Sequence, residues 1–331
     1  MAKQSPSKVK KLASDVRSGD RRALAQAITL VESTHPDHRP NAEQLLANLL
    51  GNTGKALRLG ISGPPGVGKS TFIEALGLYL IGRGNKVAIL AVDPTSTRSG
   101  GSVLGDKTRM ERLTRDPNVY IRPSPSGGAL GGVARRTREA MLVCEAAGHD
   151  TVIVETVGVG QSEIAVRDMV DMFLVLAQPA GGDELQGIKR GVLEIADLLL
   201  VNKADGELLT AAERTQADYS SALMLLRPVS PHWTTPVMTC SALHGIGVDV
   251  AWSAVDKYRA VMSESGAFEK SRRDQSLAWM WSEVKDTLEE RFRTSTIVAD
   301  KIQKLETRVA NGDLAPATAA QTLLNAFLGD G

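Results

Sequence analysis

Short apolar runs punctuate the middle of this chain. They lie at Leu57–Ser62, Lys86–Val92, Thr151–Val154, Phe173–Leu176, Leu198–Val201 and Pro236–Leu243. Runs of this length and of this Val, Ile and Leu content read as buried strands. After the first, Phe72, Leu76 and Leu80 fall on one helical stripe. Strands alternating with helical spacing predict an α/β domain. The two ends carry helical spacing without strand signals. Residues 5–50 give three stretches, marked by Val9, Leu12 and Val16, then Leu24, Ile28 and Val31, then Leu45, Leu46 and Leu49. These are expected to pack on the central domain. Near the other end, Leu277, Trp281, Val284, Leu288 and Phe292 form an apolar stripe, and Ile302, Leu305 and Val309 continue the pattern. Such a stripe can cover the central domain or meet a second copy of the chain.

The first strand and helix flank Gly63-Pro-Pro-Gly-Val-Gly-Lys-Ser-Thr71, which fits the phosphate-loop pattern G-x-x-x-x-G-K-[ST]. Gly63, Gly66 and Gly68 let the backbone curl close to an anion. The loop N–H groups and the helix N-terminus then point at the β- and γ-phosphates. Lys69 adds a point charge, Ser70 offers a hydroxyl to Mg²⁺, and Thr71 is placed for the α-phosphate. Pro65 and Val67 complete this nucleotide-binding loop. The strand Leu198–Val201 runs into Asn202-Lys-Ala-Asp205, which has the form of a guanine-reading motif. The Asp205 carboxylate can accept hydrogen bonds from guanine N1–H and N2–H, a donor pair adenine lacks. The Lys203 stem can lie along the base, and Asn202 can tie this loop to the phosphate loop. Further on, Ser241-Ala-Leu243 resembles the element that supports the base in GTPases. The bound nucleotide is therefore expected to be GTP or GDP.

Asp93 and Glu155 end two strands and suit a Mg²⁺ site, directly or through water. Strand-end capping is the plainer alternative for both. Glu155-Thr-Val-Gly158 stands where GTPases usually carry Asp-x-x-Gly, and Gly158 is the natural backbone donor to a γ-phosphate. Three Gly-rich loops follow, at 94–109, 123–132 and 177–189, and loops this long are usually functional. In the first, Asp106 is a candidate further Mg²⁺ contact. No residue is marked as the activator of water. Gln161 sits at a different offset from the Gln of Ras-type switches, and Arg98 and Arg109 are candidates only. Slow intrinsic hydrolysis, raised by a partner, is the expected behaviour.

The series Gly-Pro-Pro-Gly-Val-Gly-Lys-Ser-Thr, Val-Asp-Pro-Thr-Ser, Gly-Asp-Lys-Thr-Arg-Met, Glu-Thr-Val-Gly-Val-Gly-Gln-Ser-Glu and Val-Asn-Lys-Ala-Asp occurs in order over roughly residues 20–260. It closely resembles the MeaB family of P-loop GTPases, whose members are also labelled MMAA and ArgK. The resemblance implies a mostly parallel sheet flanked by helices (residues 55–262), an N-terminal helical extension (1–54) and a C-terminal dimerisation arm (263–331). It implies a homodimeric, Mg-dependent GTPase that partners an adenosylcobalamin-dependent methylmalonyl-CoA mutase and gates cofactor loading and repair. The third Gly-rich loop matches an extra switch of that family, with Gln186 and Lys189 as its signalling residues beside Lys69 and Asp106.

The alternative is a metal-insertion GTPase of the same branch. Such relatives often carry His- or Cys-rich metal segments, and this chain has none. His35 and His38 read as parts of a Pro-bearing loop. A transport-linked kinase fits poorly with a guanine-reading Asp205. The chain has 331 residues and a formal net charge of +1, and no basic block argues for nucleic acid. No apolar run approaches a membrane span. The opening residues have no signal-peptide core, so a cytoplasmic protein is expected. Cys144 and Cys240 make no disulfide framework and read as buried thiols.

Overall fold

The computed structural model describes residues 6–92, 110–122, 130–156, 162–179 and 190–329. Its centre is an all-parallel sheet, in which the described residues supply seven strands. These are β1 (Leu57–Ser62), β2 (Val87–Val92), β3 (Val119–Arg122), β4 (Thr151–Thr156), β5 (Met172–Ala177), β6 (Leu198–Val201) and β7 (Val237–Thr239). Their order is β3-β2-β4-β1-β5-β6-β7. All six apolar runs contain a strand, the last only over Val237–Thr239, ahead of the turn at Ser241. β3 was not anticipated, because four residues beginning after a Pro-Asn pair give too little pattern to register. The end of the second Gly-rich loop is also corrected: from Leu130 the chain is already helical, as Leu130–Ala146.

Side chains alternate across the sheet into two cores. Leu57, Leu59 and Ile61 of β1, with Ile153, Leu174 and Leu200, face the helices Lys69–Gly82 and Val248–Glu264. Val152, Val154, Phe173, Val175 and Leu199 face the other way, toward Leu130–Ala146 and Leu209–Met224. The three N-terminal helices, Pro6–Arg17, Arg21–Val31 and Arg39–Leu49, add Val9, Val16, Leu24, Ile28, Leu45 and Leu49 to this second core. They thus pack on the central domain as expected.

Gly60 is the point where β1 has no side chain to offer this core. A Cβ there would lie 2.7 Å from the Phe173 ring, 3.0 Å from Val170 and 3.1 Å from Val166. The glycine therefore lets the short helix Ser162–Arg167, which follows the Glu155 segment, approach β1 closely. Gly60→Ala is expected to destabilise the fold by about 1–3 kcal/mol through overpacking. Urea unfolding checks this, and an unchanged midpoint would contradict the tight packing.

The described residues up to Gln275 form one compact unit, and those from Ser276 a second. At the end of the first, Arg272 donates to both carboxylate oxygens of Asp171, at 2.7 and 2.6 Å. Asp171 also accepts from the Arg58 N–H at 2.7 Å, so the amino ends of β1 and β5 share one carboxylate with the last helix of the unit. In the second unit the helices Thr296–Ala310 and Pro316–Leu328 bury Val298, Ala319 and Ala326. Phe292 meets Phe327 edge-on at 5.3 Å. Leu277, Met280, Trp281, Val284 and Leu288, on the helix Ala267–Thr294, are exposed.

Candidate nucleotide site

Sheet order determines where the motifs meet. β1 lies between β4 and β5, so the connections leaving β1 and those leaving β4 run to opposite sides. The carboxyl end of β1 is therefore a topological switch point, where open α/β sheets bind ligands. Register places the motif ends side by side. Ile61 pairs with Glu155, Ser62 with Val175, Ala177 with Val201, and Val201 with Thr239. The phosphate loop, Glu155, the Asn202–Asp205 turn and the Ser241 turn thus leave the same edge of the sheet. A hydrogen bond between two buried hydroxyls, Thr156 Oγ1 to Ser62 Oγ at 2.8 Å, joins the ends of β4 and β1 there.

The phosphate loop has the backbone its glycines permit. Gly66 and Gly68 take φ values of +77° and +94°, which side chains rarely adopt. The helix Lys69–Gly82 then starts, and the Phe72 N–H donates to the Gly68 carbonyl at 2.9 Å. Lys69 Nζ donates inward to the carbonyls of Gly63 (2.7 Å) and Pro64 (3.2 Å). Burial lowers the Lys69 pKa from its ordinary value, while the charges of Glu155 and Glu163 act to raise it. Pro65 and Gly66 are exposed, Val67 is buried, and Gly68, Lys69, Ser70 and Thr71 are half-buried. The loop therefore presents its tip to solvent and roots itself in the core through Val67.

Asn202 joins this loop to the base turn. Its Nδ2 donates to the Val67 carbonyl at 2.8 Å, and its Oδ1 accepts from the Ala242 N–H at 3.0 Å. A Cβ on Gly68 would stand 2.7 Å from Asn202 Nδ2, so the glycine is also needed for this close approach. The link expected of Asn202 is thus present in the geometry. Lys203 has a φ of +61°, the one positive value for a non-glycine among the described residues. Its Nζ donates to the Gly66 carbonyl at 2.7 Å, which lays the stem across the space between the two loops. Asp205 is half-buried and accepts a hydrogen bond from Ser241 Oγ, itself fully buried. Ser241 and Ile246 exchange backbone hydrogen bonds at 2.9 and 3.0 Å, closing the turn that carries Ala242 and Leu243. Ala242 is buried and Leu243 exposed.

Glu155 is buried at the end of β4 and Ser70 lies in the first turn of the loop helix. A hydroxyl and a carboxylate are hard oxygen donors of the kind Mg²⁺ takes. Asp93, Asp106, Gly158, Gln161, Gln186, Lys189, Arg98 and Arg109 lie outside the described residues. Among those described, no three His, Cys, Asp or Glu cluster to hold a metal ion. His35 and His38 act within their own turn: His35 Nδ1 accepts from the Asp37 N–H, and His38 Nδ1 pairs with Ser33 Oγ at 2.7 Å. Both cysteines are buried, and burial pushes the Cys144 thiol up and the Cys240 thiol up to about 12. No helix among the described residues is long and apolar enough to cross a membrane.

Sequence reasoning passed over Thr156, which sits inside a quoted motif at a strand end, and read Cys240 only as a buried thiol.

The family model that matches is described as Methylmalonyl Co-A mutase-associated GTPase MeaB, and it covers residues 24–297. A putative GTPase of Caulobacter vibrioides is 57% identical over 310 residues, which is 94% of this chain and 95% of that protein. The Mus musculus protein named methylmalonic aciduria type A homolog, mitochondrial, is 49% identical over 329 residues, 96% of this chain and 79% of its own length. Among solved structures, a LAO/AO transport system kinase has a TM-score of 0.78 at 39% identity, covering 97% of this chain and 98% of that one.

Proposed function

The chain belongs to the MeaB family of methylmalonyl Co-A mutase-associated GTPases, and from that membership we propose that it is a chaperone of an adenosylcobalamin-dependent methylmalonyl-CoA mutase. It is a P-loop GTPase that binds GTP and GDP and hydrolyses GTP. The finer reading is that the nucleotide state gates loading of the mutase with intact cofactor and removal of damaged cofactor. The observation that carries it is the extent of the family likeness. That likeness runs from Leu24 to Ile297, through the helices packed on the sheet and past Ser276. A nucleotide domain alone would not need to preserve those parts.

In this reading Lys69 and the loop amides hold the phosphates, and Asn202, Lys203, Asp205, Ser241, Ala242 and Leu243 form the base site. Gly158 donates to the γ-phosphate. Ser70 and Glu155, with Asp93 and Asp106, hold Mg²⁺, which neutralises phosphate charge when bound. Gln186 and Lys189 relay the partner's presence to the nucleotide. The exposed stripe Leu277, Met280, Trp281, Val284 and Leu288 supports a homodimer, since an apolar face of this kind is commonly covered by a second copy.

Purified methylmalonyl-CoA mutase is expected to raise GTP turnover by on the order of tenfold or more, with ATP turnover remaining negligible. Phosphate release with and without the mutase measures this. Absence of both stimulation and a complex would remove the mutase from the reading and leave the GTPase intact. ATP turnover equal to that with GTP would instead revive a kinase.

A further inference from the structure

Asn202 is held at both ends of its amide, and one of the groups that holds it has no place in the phosphate or base motifs. We propose that Cys240 is a positioning residue of the nucleotide site, its thiol donating to Asn202 Oδ1 and so holding the bridge between the base turn and the phosphate loop.

The Sγ to Oδ1 separation is 3.6 Å and the contact is buried. Oδ1 also accepts from the Ala242 N–H at 3.0 Å, so both of its lone pairs are used. The other end of the amide donates to the Val67 carbonyl at 2.8 Å. A backbone N–H can only donate and a carbonyl can only accept, so these two partners decide which end of the amide faces which loop. The thiol then supplies the second tie at the oxygen end. Burial pushes the Cys240 thiol up to about 12, so it is an S–H donor at neutral pH.

The backbone of the same residue brackets the turn it serves. The Cys240 N–H donates to the Val201 carbonyl at 2.9 Å, and its carbonyl accepts from the Ala204 N–H at 3.0 Å. Asn202 and the left-handed Lys203 lie between those two points. Gly247 closes the far side: a Cβ there would come within 2.9 Å of the Thr239 carbonyl and 3.4 Å of Cys240. Residue 240 is therefore a fixed post, and its side chain aims at the one amide that spans both loops. The role concerns nucleotide retention by this chain alone and does not depend on which partner it serves.

The test compares Cys240→Val with Cys240→Thr in the full chain. The two side chains have nearly the same shape, and only threonine can donate to Asn202. Dissociation of a fluorescent GDP analogue is followed after a chase with unlabelled GDP. Cys240→Val is expected to speed dissociation by about threefold to tenfold, the range for loss of one modest hydrogen bond. The KM for GTP should rise with it while kcat stays within about twofold. Cys240→Thr should return the dissociation rate to near that of the parent. Equal rates for the valine and threonine variants would overturn the proposal, as would a fall in kcat at unchanged KM. If the valine variant does not fold, Cys240→Ala against Cys240→Ser supplies the same contrast: faster dissociation in the alanine variant alone supports the role, and equal rates overturn it.

Discussion

Lys69→Ala is expected to lower GTP turnover by about 10³-fold and to leave the protein folded. The direction comes from charge. Phosphoryl transfer is catalysed chiefly by positioning and by stabilising negative charge on the transferred group, and loss of one well-placed donor typically costs 10²–10³-fold. Lys69 is the cation of the phosphate loop. In this structure its Nζ is turned onto the Gly63 and Pro64 carbonyls, at 2.7 and 3.2 Å, which holds it at the mouth of the loop. The fold survives because the helix it begins is anchored by other residues. Phe72, Ile73, Leu76 and Leu80 are buried, and alanine is a good helix former at the half-buried first turn. Losing the two lysine-to-carbonyl bonds should cost about 1 kcal/mol each. Single-turnover phosphate release and thermal unfolding, measured together, check both halves. Normal turnover in the variant would refute the role given to the loop, and a collapsed fold would make the loss of activity uninformative.

Asp205→Asn is expected to exchange the nucleotide preference from guanine to xanthine. A carboxylate offers acceptors only, and one of its oxygens is already engaged by Ser241 Oγ. That contact orients the group and leaves the remaining acceptor positions for the N1–H and N2–H donors of guanine. An amide in the same place presents one donor, which opposes the guanine N2–H and suits the carbonyl that xanthine carries there. For GTP one hydrogen bond becomes a donor–donor clash and the other loses its charge assistance, so its affinity should fall by on the order of 10³-fold. Xanthosine triphosphate should gain correspondingly. Competition binding with GTP, xanthosine triphosphate and ATP measures the exchange. Unchanged GTP preference would place the base elsewhere.

The two substitutions also separate the halves of the site. In the proposed reading Lys69 acts on phosphate and Asp205 on the base, and the Asn202 amide ties the two loops together. A defect at Cys240 should therefore resemble a mild loss of nucleotide retention, without the loss of chemistry expected at Lys69 or the change of base expected at Asp205.

Local residue order alone was enough to identify the parts that depend on near neighbours. The spacing of three glycines before Lys69 predicts a curled loop, and Gly66 and Gly68 indeed have positive φ. The apolar runs predict strands because a strand buried on both faces has few polar residues to interrupt it. The stripe of Phe72, Leu76 and Leu80 predicts a helix because three- and four-residue steps return to one face. Even the Asn202 bridge was legible, since the two motifs imply a shared ligand.

What only the tertiary structure decided depends on residues far apart in the chain. The strand order sets β1 between β4 and β5, and no local pattern encodes which strands become neighbours. That order brings Ile61 level with Glu155 and Val201 level with Thr239, which turns separate motifs into one edge. Gly60 looks like an interruption of a strand until Phe173, Val170 and Val166 are seen pressing on it. Arg272 looks like a surface charge on a helix until it closes on Asp171, 101 residues away. Cys240 looks like an ordinary buried thiol until Asn202 is found 3.6 Å from its sulfur. Hydrophobic periodicity reports what one segment wants to bury, whereas close approach and hydrogen-bond partnership are properties of pairs, and pairs exist only once the chain has folded.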